Sequence, residues 1–120
     1  MADNGKLVTD FCRAWSRLDP DELAEYFTPD GVYHNIPMDP LVGREAIRTA
    51  LAGMAKSLKD IEFEICRQVV QGDLVFNERI DRMTIEGRKI ELPVVGVFEI
   101  EDGKIKAWRD YFDRQMSACD

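Results

Sequence analysis

The sequence predicts an α+β fold, with helices first and then a strongly curved sheet of long strands that encloses a cone-shaped pocket. Three observations carry this expectation. Apolar residues recur at helical spacing up to about residue 58. From Ile61 the period changes to two, the signature of strands with one buried face. Turns at Gly72, Gly87 and Gly103 then separate long strand-like runs, as in antiparallel hairpins. With 120 residues, the chain is expected to form a single domain over 1–120.

Each element has a local reason. Leu7, Phe11, Ala14, Trp15 and Leu18 make one apolar stripe and predict a first helix. Asp19-Pro20-Asp21-Glu22 starts a second, with Asp19 as N-cap, Pro20 at the first helical position and acids in the first turn. That helix is expected to run through Phe27 and to end at Pro29-Asp30-Gly31. Val32 to Ile36 reads as a short strand stopped by Pro37, and Met38 to Val42 as loop. Gly43 to about Leu58 predicts a third helix, burying Ala46, Ile47, Ala50, Leu51 and Met54. Strands follow from Ile61 into Val69–Val70, then over 74–85, 89–100 and 104–114. Helices preceding a meander of strands mean α+β, as a mixed or antiparallel sheet with the helices packed on one face.

The composition excludes several functions. There are 16 Lys+Arg against 23 Asp+Glu, a formal charge of −7. An acidic chain with no basic stripe repels both a phosphate backbone and an anionic membrane, so neither nucleic acid nor membrane is an expected partner. No apolar run approaches the length of a membrane span, and the first residues, with an acid at Asp3, do not read as a secretory signal. Cys12, Cys66 and Cys119 are odd in number and lack CxxC spacing, so reduced structural thiols and a cytoplasmic location are expected. With one histidine, His34, no metal site is expected.

Period-two bookkeeping places the polar residues. Tyr33 and Asn35 share a face, and His34 takes the other. Val75, Asn77, Arg79, Asp81, Met83 and Ile85 share a face, so apolar residues flank an Asn, an Arg and an Asp. Ile90, Leu92, Val94, Gly96, Phe98 and Ile100 form a nearly wholly apolar face, the natural pocket wall. Asp110 lies between Trp108 and Phe112 on its strand face. A buried charge is costly unless paired, and an Asp81–Arg79–Asp110 triad would satisfy that requirement at a net charge of about −1. Two carboxyls in different surroundings can divide acid and base work, with Tyr33 and Asn35 placed to hold a water. The plainer alternatives are a solvated strand face for Arg79 and Asp81, a surface role for Asp110, turn packing for Tyr33 and Asn35, and core positions for Trp15 and Trp108.

The segments Tyr33-His34-Asn35-Ile36-Pro37, Asn77-Glu78-Arg79-Ile80-Asp81 and Gly96-Val97-Phe98, together with the run from Gly103 to Asp113, resemble the limonene-1,2-epoxide hydrolase family. Leu51-Ala52-Gly53 also fits, and the likeness spans about residues 6–113. The resemblance implies the cystatin-like cone shared with nuclear transport factor 2 and ketosteroid isomerase, and a homodimer. It implies Asp110 as general base, Tyr33 and Asn35 as holders of the hydrolytic water, Asp81 as general acid and Arg79 between the two acids. It also implies a hydrophobic epoxide opened to a diol in one step, with water as co-substrate and no cofactor. Leu92, Val94 and Phe98, with Met54, Leu58, Phe63, Met83, Trp108 and Phe112, would bind the hydrocarbon. Two rivals on the same fold are an isomerase or cyclase resembling ketosteroid isomerase and polyketide cyclases, and a non-catalytic module for hydrophobic ligands.

Overall fold

The computed structural model describes residues 3–116, so Cys119 lies outside the described residues. Three helices pack on one face of a six-stranded sheet. Helix α1 (Asn4–Ala14) is capped by Asp3, whose side chain accepts from the Lys6 amide, and it buries Val8, Phe11, Cys12 and Ala14. Helix α2 (Pro20–Ala24) starts as expected, with the Asp19 carboxylate accepting from the Asp21 and Glu22 amides. Helix α3 (Arg44–Met54) buries Ile47 and Leu51.

The strands are β1 (Phe27–Asn35), β2 (Leu41–Val42), β3 (Leu58–Gln71), β4 (Leu74–Ile85), β5 (Arg88–Glu101) and β6 (Lys104–Tyr111). Their order across the sheet is β2-β1-β6-β5-β4-β3. The β1–β6 pair is parallel and all others are antiparallel, so the sheet is mixed. Successive positive φ angles at Glu86-Gly87 and Asp102-Gly103 make the tight turns whose twist suits long hairpins. A short 3₁₀ turn, Arg114–Met116, closes the described chain.

Several boundaries differ from the sequence expectation. Helix α2 stops at Ala24, because Phe27 is needed in the core and opens β1. Pro29-Asp30-Gly31 does not end an element. It lies inside β1, where the register on β6 shifts between Phe27 and Val32. A side chain at Gly31 would press on the Ile105 and Thr28 carbonyl oxygens, so glycine lets the bulge sit close to β6. Leu41–Val42 is a strand rather than loop, pairing with Val32 and Tyr33. Helix α3 ends at Met54 and Leu58 begins β3; β6 ends at Tyr111 rather than near Arg114.

The core lies between the helices and the concave face of the sheet. The Phe11 ring meets Trp15, Tyr26, Phe27, Phe98 and Trp108 with centroids 4.9–6.3 Å apart. Such edge-to-face pairs add to the large area that aromatics bury. This cluster closes one end of the cone, leaving the other end hollow.

A candidate active site at the base of an apolar cavity

The hollow end is a cavity of about 140 Å³, partly open to solvent. Met54, Leu58, Phe63, Met83, Leu92, Val94 and Phe112 line it, as do Tyr33, Asn35, Asp81 and Asp110. Phe98 and Trp108, expected on the wall, do not line it. Both are fully buried beneath the floor, because their β-strand positions lie toward the aromatic core. Trp108 stacks on Tyr33 at 4.3 Å and on Phe98 at 5.5 Å. Trp15, for which the sequence offered a core position, and Ile61, to which it gave no site role, take wall positions. The signal was present for Trp15, which lies on the first apolar stripe, caps α1 and stacks on the wall residue Phe63 at 5.0 Å. His34 stays out of the site, with Nε2 2.9 Å from the Met38 carbonyl.

Strand register assembles the polar floor. Asn77 pairs with Gly96, and Gly96 pairs with Asp110. Asp110 in turn lies beside Asn35 across the parallel β1–β6 pair. Arg79 is 0% exposed, Asp81 4% and Asp110 3%, so the three charges are buried together. The guanidinium spends all five of its N–H groups on them and one neighbour. Nε donates to Asp81 Oδ1 at 2.9 Å and Nη2 to Asp81 Oδ2 at 2.9 Å. Nη2 also donates to Asp110 Oδ2 at 2.7 Å, and Nη1 to Asp110 Oδ1 at 3.2 Å. The fifth acceptor, at 3.0 Å from Nη1, is Asn77 Oδ1. Two bidentate carboxylates on one planar fork are among the strongest neutralising arrangements available to a buried arginine. Phe63 covers the fork, its ring centroid 5.0 Å from the guanidinium carbon.

Gly96 makes this packing possible. A Cβ there would collide with Arg79 Nη1 and crowd Asp110 Oδ1 and Asn77 Oδ1. Asn77 is a site residue that sequence reasoning placed on the right face but gave no role. Its sharing a period-two face with Arg79 and Asp81 was the available signal.

The electrostatics separate the groups. Burial raises the Asp110 carboxyl to about 6, against the opposing pull of Arg79 and of the Trp108 indole N–H, which donates to Oδ1 at 2.6 Å. Burial also raises Asp81, with Arg79 opposing. Burial works against the Arg79 charge, but the two carboxylates outweigh it and hold its proton affinity well above the ordinary value. The buried Tyr33 hydroxyl is pushed well up and stays protonated, accepting from Asn35 Nδ2 at 3.2 Å. Burial lifts the Cys12 thiol to about 12, which makes it a packing group and not a nucleophile. The floor therefore offers one permanent cation, two carboxyls whose proton affinity burial raises, and a hydroxyl–amide pair beside them.

Comparison with known proteins decides the family. The model of the limonene-1,2-epoxide hydrolase catalytic domain matches residues 2–117. The chain belongs to the limonene-1,2-epoxide hydrolase family. Its activity class is accordingly that of an epoxide hydrolase. The chain is 34% identical over 106 residues to the epoxide hydrolase EphG of Mycobacterium tuberculosis, covering 88% of this chain and 70% of that protein. A solved structure of an LEH-like epoxide hydrolase from M. tuberculosis superimposes with TM-score 0.82 at 33% identity, over 90% of this chain and 80% of the other. The fold extends further than the family. A SnoaL-like polyketide-cyclase-type protein of Shewanella denitrificans shares it with TM-score 0.86 at 18% identity, over 94% of this chain and 92% of the other.

Proposed function

We propose that this family member hydrolyses a small hydrophobic epoxide to a vicinal diol in one step, without a covalent ester. The observation that carries this proposal is the Asp81–Arg79–Asp110 cluster at the base of an apolar cavity. Ring opening needs a proton removed from water and a proton delivered to the epoxide oxygen at one C–O bond. Two carboxyls bridged by one arginine supply both, provided the pair carries a single proton. Asp110, beside Asn35 and near Tyr33, takes the proton of a water held by those two residues. Asp81, on the neighbouring edge of the same guanidinium, gives its proton to the oxygen. Arg79 keeps the pair close in charge to neutral throughout. Placing water, acid and substrate together can replace several kcal/mol of otherwise unfavourable alignment.

The cavity volume bears on the substrate. About 140 Å³ is close to the roughly 150 Å³ of an apolar cavity that holds one benzene. One carbocycle or a short chain fits inside, with any remainder passing through the open mouth. The outer face of the sheet carries exposed Phe76, Val95 and Tyr111 on neighbouring strands, which supports the proposal of a homodimer through that face.

Diol formation on a panel of small cyclic and terpene epoxides tests the activity; a protein that opens none of them refutes the substrate class. A single turnover in ¹⁸O-water tests the mechanism. Label is expected in the first diol formed. Label found first in a protein carboxyl group means a covalent ester and overturns the one-step mechanism.

A further inference from the structure

We infer that Asn77 is a positioning residue, which fixes Arg79 and thereby sets how the two carboxyls share their proton. The inference rests on the acid–base mechanism proposed above and adds a residue to it. Asn77 is 2% exposed and sits one strand step behind Arg79, on the same face. Its Oδ1 accepts the one guanidinium N–H that neither aspartate takes, at 3.0 Å.

The amide can play this part only if its oxygen, not its nitrogen, faces the arginine. That polarity is imposed from behind. Asn77 Nδ2 donates to Gln68 Oε1 at 3.1 Å and toward Cys12 Sγ at 3.8 Å. Gln68 is oriented in its turn, because its Nε2 donates to the Gly5 carbonyl at 3.1 Å and to Thr9 Oγ1 at 3.2 Å. An acceptor on the first turn of α1 thus fixes the Gln68 amide, Gln68 fixes Asn77, and Asn77 fixes the arginine. A flipped Asn77 would set an N–H against an N–H in a buried site, which is unfavourable for both groups.

Losing the fifth acceptor leaves a buried guanidinium N–H unpaired, so the fork turns away from its present seat. Each of the other four N–H groups already has its own acceptor, so the turn weakens at least one aspartate pair. Asp110 has the longer of these contacts, 3.2 Å from Nη1. Its carboxyl then titrates higher, because less of the arginine's charge opposes burial. Cavity-wall contacts with substrate are untouched, since Asn77 does not line the cavity.

The test is Asn77→Leu, similar in size and without an acceptor, with Gln68→Leu as a second, half-buried variant that removes the orienting contact together with the Gln68 bonds to α1 and leaves the Asn77 amide in place. Two measurements are made on each: steady-state kinetics on an epoxide turned over by the wild type, and ¹³C carboxyl NMR titration of Asp81 and Asp110. For Asn77→Leu we expect kcat to fall by roughly 10–100-fold, with KM changed less than about threefold and the Asp110 midpoint raised. Gln68→Leu should move both quantities the same way by less, and it answers the question if Asn77→Leu does not fold. A folded Asn77→Leu with unchanged kcat and an unchanged Asp110 midpoint overturns the inference, as does a loss confined to KM. The titration needs no turnover, so it judges Asn77 even if the wild type opens no epoxide and the proposed function fails.

Discussion

Arg79 and Arg82 lie three residues apart on β4, and each is ringed by carboxylates. Their odd spacing sends them to opposite faces of the sheet. Arg79 is fully buried between Asp81 and Asp110. Arg82 has 35% of its side chain exposed and meets Glu62, Glu64 and Glu91 on the surface, at 3.5, 2.7 and 2.7 Å. The distances are alike, but the consequences are not. Around Arg82, water solvates every charge and the acids gain little from the pairing. Around Arg79, burial raises the proton affinity of both carboxyls, which is what the proposed mechanism needs to turn an ion pair into acid–base machinery. On the proposed mechanism, solvent, more than the pairing of charges, separates the arrangement that does chemistry from the one that does not.

The contrast is attacked most strongly at the buried cluster. Asp110→Asn and Asp81→Asn each keep the shape and remove one partner of the proton exchange. Each should lower kcat at least about 10³-fold, within the usual range of acid–base contributions. Arg79→Gln should do the same and also lower stability, because it leaves two buried carboxyls without a cation. Diol formation with circular dichroism as a fold control reads all three. A variant with more than about a tenth of wild-type kcat would show that its residue takes no part.

The next largest effect is expected at Gly96. Gly96→Ala pushes a methyl into Arg79 and against Asp110, so the guanidinium must move. A displacement of about 1 Å in a positioned site typically costs around 100-fold in rate. Kinetics at near-wild-type activity would mean that the floor yields without disturbing the triad.

A smaller, directional effect belongs to Trp108. Trp108→Phe keeps a ring under Tyr33 and deletes the indole N–H held by Asp110. That donor favours the ionised carboxylate, so its loss raises the Asp110 midpoint above 6. Wild-type kcat/KM should fall on the acid side as Asp110 protonates below about 6, and on the alkaline side as the shared proton leaves. In the variant the acid limb should lie at higher pH. A limb that stays put or moves lower contradicts the role assigned to the indole.

Much of this was legible in the sequence because strands have a strict period. Alternation alone put Arg79, Asp81 and Asp110 on inner faces with apolar neighbours, and the structure brings all three together. The glycine turns gave the hairpins for the same local reason. The errors arose where local signals meet tertiary demands. Pro29-Asp30-Gly31 reads as a stop, yet β6 runs alongside and the chain accommodates it as a bulge. Alternation names a face but not a depth, so Phe98 and Trp108 looked like cavity wall while lying a layer below it. Asn77 needed the strand register and the rotation of one guanidinium, neither of which a single sequence displays.

Burial of Asp110 also has a thermodynamic cost with a definite sign. Its folded-state pKa, about 6, lies above the ordinary 3.8, so the folded protein binds this proton more tightly than the unfolded chain. The stability so gained is complete below pH 4 and is lost as pH rises through about 6. Asp81 is shifted in the same direction. Glu22, lowered by its hydrogen bond from Arg17, runs the other way, but its loss comes only on acidification below the ordinary carboxylate range. From pH 5 to 7 the wild type should therefore lose roughly 1–2 kcal/mol relative to Asp110→Asn. Thermal melts of both proteins across that interval measure it. Parallel Tm–pH curves would mean that Asp110 is solvated after all.

The smallest effect is expected at Arg82, and it is the sharpest check on the contrast. Arg82→Gln removes a cation from three acids, one more than Arg79 serves. If pairing governed the outcome, this variant would suffer at least as much as Arg79→Gln. If solvent governs it, the three glutamates simply remain hydrated. We expect Tm to move by no more than about 2 °C at 0.15 M salt, and less at higher salt where surface pairs are screened. The pH profile of kcat/KM should coincide with that of the wild type, because no charge on the outer face of β4 opposes burial on its inner face. A shifted acid limb in Arg82→Gln would mean that charge reaches through the sheet to the carboxyl pair, and the division between the two arginines would have to be redrawn.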